Sequence, residues 1–180
     1  ADSATFSVKF PLSLFPSAFI TYKIDEKQDF QINYSRRVNR PNFFQLMPFP
    51  DYSDPQNINM GNAGLSPEFT NSFDLGNVRY FDKGSVSSSL YYRHTLGKID
   101  RFRSVDTSGF AKTLPVNLSD QQSMGIEIAS SYTFTKAYKA DLSINAFRAI
   151  TDATNINAAF KSDTYSWFVR HSSRIKLGAV

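Results

Sequence analysis

The sequence predicts an all-β fold, an antiparallel up-and-down segment of a transmembrane β-barrel with seven to eight strands. Three observations carry that expectation. Apolar residues recur with period two along most of the 180 residues, which is the spacing of side chains on one face of a strand. The segments that show it are joined by connections that are short and long in turn. The apolar face is rich in Tyr, Phe and Trp, whereas the opposite face is small, polar or charged.

The elements can be justified in chain order. Ile20, Tyr22 and Ile24 oppose Thr21 and Lys23, and Phe30, Ile32 and Tyr34 oppose Gln31, Asn33 and Ser35. Val86, Leu90 and Tyr92 oppose Ser85, Ser87 and Ser89. Met124, Ile126, Ile128, Tyr132 and Phe134 oppose Ser123, Gly125, Glu127, Ala129, Ser131 and Thr133. Leu142, Ile144, Ala146 and Ile150 oppose Asp141, Ser143 and Asn145, with Phe147 and Arg148 blurring the pattern. Tyr165, Trp167, Val169, Ile175 and Leu177 oppose Thr164, Ser166, Arg170, Ser172, Arg174 and Lys176. Strands are therefore expected near 17–24, 28–36, 69–81, 85–96, 122–134, 140–150 and 162–177, with 6–14 as the eighth and no helix.

Short turns at 25–28, 82–84 and 135–139 interleave with long stretches at 37–68, 97–121 and 151–161. With consecutive strands antiparallel, every short turn falls at one end of the sheet and every long loop at the other. That asymmetry, an aromatic lipid-facing side and a wet interior are what an outer-membrane barrel requires. Strands of roughly 9–11 tilted residues span its apolar band. A soluble or surface β-sandwich that binds carbohydrate through exposed aromatics is the competing reading; it places the Ile/Tyr/Phe face in a core instead of against lipid.

Composition removes other classes. With no cysteine, no disulfide framework, zinc-thiolate site or thiol nucleophile exists. The net charge of +4 is spread along the chain without a polybasic block, so nucleic acid is not an expected partner. No stretch reaches the roughly 18 apolar residues of a spanning helix, and the start of the chain does not have the form of a secretory signal. Serines lie in no nucleophile-elbow context, and no Gly-rich phosphate loop occurs, so neither enzyme chemistry nor a cofactor is expected. Asp51 and Asp54 before Pro55 read as Asx-type turns in preference to a calcium site. His94 and His171 read as isolated from paired carboxylates, and Asn33 and Asn117 match a glycosylation acceptor only formally.

The stretch "GNAGLSPEFTNSFDLG" carries the most specific signal. Pro67 fixes its own φ and biases Ser66 toward extended geometry, so the chain leaves a loop already shaped as a strand. Gly61, Asn62 and Gly64 supply the bend before it, and Glu68 is placed at the rim to accept from loop N–H groups or to pair with an arginine. The stretch resembles the Gly-Asn-Pro-x-Leu-Lys-Pro-Glu…Glu-Leu-Gly signature of barrels in TonB-dependent outer-membrane transporters. The match falls on Gly61, Asn62, Leu65, Pro67, Glu68, Leu75 and Gly76, with Ala63, Ser66 and Asp74 as departures. "INYSRRVNRPNFFQLMPF" resembles the preceding segment in the Bacteroidetes-type outer membrane β-barrel branch.

The resemblance implies import of a scarce nutrient of the iron-chelate, cobalamin or oligosaccharide class. It implies as partners the outer-membrane lipid, the small nutrient ligand, the TonB energy-coupling complex acting through a plug region, and a surface lipoprotein. Residues 1–180 read as one partial barrel domain without the plug, an internal-to-C-proximal segment of a larger receptor, with long extracellular loops near 37–68 and 97–121. The basic-aromatic run that holds Arg36, Arg37, Arg40, Phe43 and Phe44 reads in two ways. It is either a loop packed on the barrel mouth or a contact surface for an anionic or sugar ligand.

Overall fold

The computed structural model describes residues 14–178. The strand expected at 6–14 lies outside the described residues apart from Leu14, which is not in a strand. In chain order the elements are β1 (Ser17–Asp25), β2 (Gln28–Asn39), a single helical turn α1 (Phe43–Leu46), β3 (Asn57–Asn59), β4 (Glu68–Phe81) and β5 (Gly84–Leu96). They continue with β6 (Ile99–Val105), β7 (Ala111–Asn117), β8 (Asp120–Thr135), β9 (Tyr138–Asp152) and β10 (Lys161–Ile175). All seven expected long strands form, with bounds within three residues of those expected.

The long strands make one antiparallel sheet in the order β1-β2-β4-β5-β8-β9-β10. Each strand follows its predecessor without a crossover, as an up-and-down barrel wall requires. One row shows how period two fixes the register. Ile20, Ile32, Leu75, Leu90, Ile126, Ala146 and Trp167 lie opposite one another across all seven strands. A slip of one residue in any strand would put its apolar set on the wet face.

The Ile–Trp row stays uncovered; Trp167 is 75% exposed, and Ile20, Leu75 and Leu90 are also exposed. Among the described residues no second sheet lies over it, which argues against the sandwich alternative, because a sandwich buries that face. Aromatic clusters bound the face at both ends. Tyr132, Phe134 and Tyr138 cluster near the short turns, and Tyr34, Phe73 and Tyr92 cluster toward the long loops. Met124, opposite Tyr92, and Phe134 are ten residues apart on β8, about 33 Å at roughly 3.3 Å per residue. A tilt of about 40° reduces this to about 25 Å, the height of a lipid-facing apolar band.

The opposite face is polar and tightly bonded. Tyr91 lies flat along it and donates to Asn145 Oδ1 at 3.3 Å, with the Arg93 guanidinium 4.5 Å above its ring. Gly125 makes this possible: a Cβ there would stand 2.6 Å from the Tyr91 hydroxyl and 2.7 Å from the Ala146 carbonyl oxygen.

The 97–121 stretch differs from the expected loop. It folds as the β6–β7 hairpin, and β3 joins β7 in parallel to make a three-stranded sheet β3-β7-β6. The 37–68 stretch likewise contributes the end of β2, then α1 and β3. Asn42 caps α1 by a reciprocal box: its Oδ1 accepts from Gln45 N–H at 2.9 Å while Gln45 Oε1 accepts from Asn42 N–H at 2.9 Å. His94 also departs from its expected isolation. Its Nε2 lies 3.1 Å from Asp120 Oδ2, because β5 and β8 pair antiparallel and bring residues from distant sequence to one rim.

Candidate functional site

The short turns join β1 to β2, β4 to β5 and β8 to β9, and all lie at one end; the long connections gather at the other. The tightest packing among the described residues is at this loop end, where Leu65 and Ala111 are each 3% exposed and Leu118 is buried with them. Three parts of the Gly61–Glu68 motif hold it together.

Gly61 is seated on the end of α1. Its N–H donates to Met47 O at 2.9 Å and the Asn62 N–H donates to Gln45 O at 2.7 Å. These bonds satisfy carbonyls that a helix end leaves open. A Cβ on Gly61 would fall on the Met47 carbonyl oxygen, and within 2.7 and 2.8 Å of those of Phe44 and Gln45.

Asn62 continues the small sheet with its side chain. Its Nδ2 donates to Pro115 O at 3.0 Å, beyond the point where β3 ends, while its Oδ1 accepts from Gly64 N–H. The proline is tolerated inside β7 for the same reason: Arg101 opposite it donates to Asp100 Oδ1 at 2.7 Å instead of across the ladder.

Glu68 is 8% exposed and bonded at both oxygens. Oε1 accepts from Asn39 Nδ2 at 2.8 Å, closing the β2–β4 end, and Oε2 accepts from Ile99 N–H at 2.8 Å. Asn39 and Glu68 stand in register with the polar-face residues Arg37 and Thr70. The second bond therefore draws β6 to the polar side of the rim.

Asn117 completes the joint. Its Nδ2 donates to Ser66 O at 2.9 Å and Gly97 O at 2.7 Å, and its Oδ1 accepts from Ser66 N–H at 2.8 Å. The residue that matched a glycosylation acceptor is turned inward as a backbone mimic.

Between the two loops lies an open groove of about 590 Å³. Its walls carry Phe44, Met47 and Phe49 from the first loop and Ile99, Arg101 and Leu114 from the second. Asn42, Gln45, Asn59, Asp51 and Asp100 add polar groups. Asp51 makes an Asx turn, accepting from Ser53 N–H at 2.9 Å and from its hydroxyl; the side-chain bond foremost, then the backbone bond, holds its carboxyl below the ordinary carboxylate value. Asp54 is lowered in the same way, first by Asn57 Nδ2 and then by Gln56 N–H.

Of the five basic and aromatic residues singled out in the sequence, Phe44 alone lines this groove. Arg36 stands on the outward face with its guanidinium 5.4 Å from the Phe69 ring centroid, and Arg37 pairs with Thr70 on the polar face. Arg40 begins the loop, and Phe43 packs edge-on against Phe44. Phe49 and Arg101 were not singled out. Phe49 had a signal, since Pro48 and Pro50 enclose it and stiffen the backbone that presents it.

The sequence matches the outer membrane protein beta-barrel family over residues 2–179. The chain belongs to that family. No curated protein sequence is significantly similar to it. The fold of this barrel chain is shared with longer solved structures. Against the siderophore receptor PirA from Pseudomonas aeruginosa the TM-score is 0.61 at 14% identity, covering 88% of this chain and 34% of the receptor. The copper transporter OprC gives 0.56 at 20% identity, covering 75% and 20%. The FrpB iron transporter from Neisseria meningitidis gives 0.55 at 15% identity, covering 78% and 20%. The barrel chain thus spans about a fifth to a third of these proteins, and its open sheet corresponds to a segment of a barrel wall in the outer membrane.

Proposed function

We propose that the chain supplies part of the wall and mouth of a TonB-dependent outer-membrane transporter, with the loop-end groove as a reception surface for a scarce nutrient. The observation that carries this reading is the motif's geometry. Gly61, Asn62, Glu68 and Asn117 fix two long loops to each other and, through Glu68, to the polar side of the sheet rim, so the groove between them is held as one ordered surface at the loop end. Siderophore, copper and iron proteins of the same fold support a transport role. The nutrient is of the iron-chelate, cobalamin or oligosaccharide class, and the energy for import comes from the TonB complex. The reading assigns no catalytic step.

The test uses cells that make the intact receptor under nutrient limitation. Uptake of labelled ferric chelates, cobalamin and oligosaccharides is measured with the TonB complex present and inactivated. TonB-dependent accumulation of one class is the expected result. Accumulation indifferent to TonB, or none of any class, would sink the reading.

A further inference from the structure

The groove chemistry narrows the ligand class, and the inference rests on the transporter reading. We infer that the groove receives an uncharged, polyhydroxylated ligand, an oligosaccharide, in preference to an anionic metal chelate. Phe44 and Phe49 are 77% and 73% exposed, yet both stand on stiff backbone, one on a capped helical turn and one between two prolines. Such rings offer flat platforms to the C–H face of a sugar, with little entropy left to lose on binding.

The polar groups beside them suit hydroxyls. Asn42 and Gln45 spend their carbonyl oxygens on the capping box, which leaves the amide donors Nδ2 and Nε2 without a protein partner among the described residues. Asp100 spends Oδ1 on the Arg101 N–H and keeps Oδ2. Two donors and a carboxylate acceptor within one groove match the paired donor and acceptor character of vicinal hydroxyls.

The charge balance points the same way. The lining carries Asp51 and Asp100 against Arg101 as its cation, and the serine bonds keep Asp51 ionised. A multiply negative chelate would meet net like charge there. Arg103, a neighbouring cation on β6, keeps its charge but does not line the groove, its guanidinium being held at Asn57 Oδ1, 2.8 Å away. Below the rim the polar face carries hydroxyls and amides beside Arg37 and Arg93: Thr70 bonds Thr95 at 2.9 Å, and Gln121 bonds Thr151 at 3.1 Å.

The experiment uses the intact receptor purified from the outer membrane in detergent. Titration calorimetry is run with neutral hexasaccharides (maltohexaose, cellohexaose and xylohexaose) and with ferric citrate and a ferric catecholate. Binding of a hexasaccharide is expected, with affinity nearly constant from 50 to 500 mM salt. Phe44→Ala and Phe49→Ala should each weaken it at least tenfold, and Phe44→Tyr should restore most of it; heat-modifiable migration in gels verifies that each variant is assembled. No binding to any hexasaccharide, chelate binding that falls with salt, or indifference to both alanine variants overturns the inference. TonB-dependent uptake of a chelate without sugar binding overturns the sugar assignment and leaves the transporter reading standing. Sugar binding without TonB-dependent uptake upholds the groove chemistry and overturns the transporter reading.

Discussion

Gly61 has no room for a side chain, because three carbonyl oxygens of the first loop converge on the position a Cβ would take. Gly61→Val is expected to cost about 1–3 kcal/mol of local stability as the loop shifts to accommodate it. In the membrane-embedded receptor this should appear as faster protease cleavage within 40–67, with the barrel's heat-modifiable migration unchanged. Gly76→Ala provides the contrast, since its added Cβ would meet Gln31 Cβ at an ordinary 3.6 Å; its effect should stay within about 0.5 kcal/mol. Asp51 and Asp54 give the first loop a pH limit of known sign. Their folded pKa values lie below the ordinary 3.8, so their stabilisation is present above that value and disappears as pH falls through the lowered ones. Amide exchange at Ser53 and Gln56 should therefore be protected uniformly from pH 7 down to about 4 and lose protection below it, once intrinsic rates are corrected. Glu68→Ala removes two charge-assisted bonds worth about 1.5–3 kcal/mol each and should free the β6–β7 hairpin as well as the first loop.

Strand by strand, the two faces make opposite demands on neighbouring residues. Leu90 sits in the central lipid-facing row, and Ser89 beside it pairs with Glu127 on the polar face. Leu90→Arg is expected to cost about 2–4 kcal/mol near the bilayer midplane and to lower the assembled fraction, whereas Ser89→Arg should assemble almost normally. The seven long strands were legible in the sequence because each has one buried or lipid-facing set and one wet set, which forces period two. β6 and β7 were not legible. Ile99, Phe102 and Val105 recur every third residue, and Pro115 argues against a strand. These two are ordered by tertiary bonds from Glu68, Asn62 and Asn117 that no local pattern announces. The motif itself was legible as a bend and a rim carboxylate. The groove was less so, because its walls come from stretches at least thirty-eight positions apart, and of the expected contacts only Phe44 reaches it.

At the scale of the molecule, the sheet is an open wall with β1 and β10 at its edges among the described residues. Its uncovered apolar face in water would be an aggregation surface; in the outer membrane it is satisfied by lipid. Because the chain has no cysteine, single cysteines at successive positions 165–170 can carry spin labels. Collision rates with oxygen should peak at Tyr165, Trp167 and Val169, and those with a water-soluble nickel chelate at Ser166, Phe168 and Arg170; a helical period or uniform exposure would refute the wall assignment. The side-chain ties between the two loops have a consequence for descent and engineering. Ser66 and Asn117 exchange bonds across fifty-one positions, and Glu68 holds Ile99 across thirty-one. The loops therefore form one heritable cassette: a transplant intended to alter cargo must carry both, together with the asparagine that joins them.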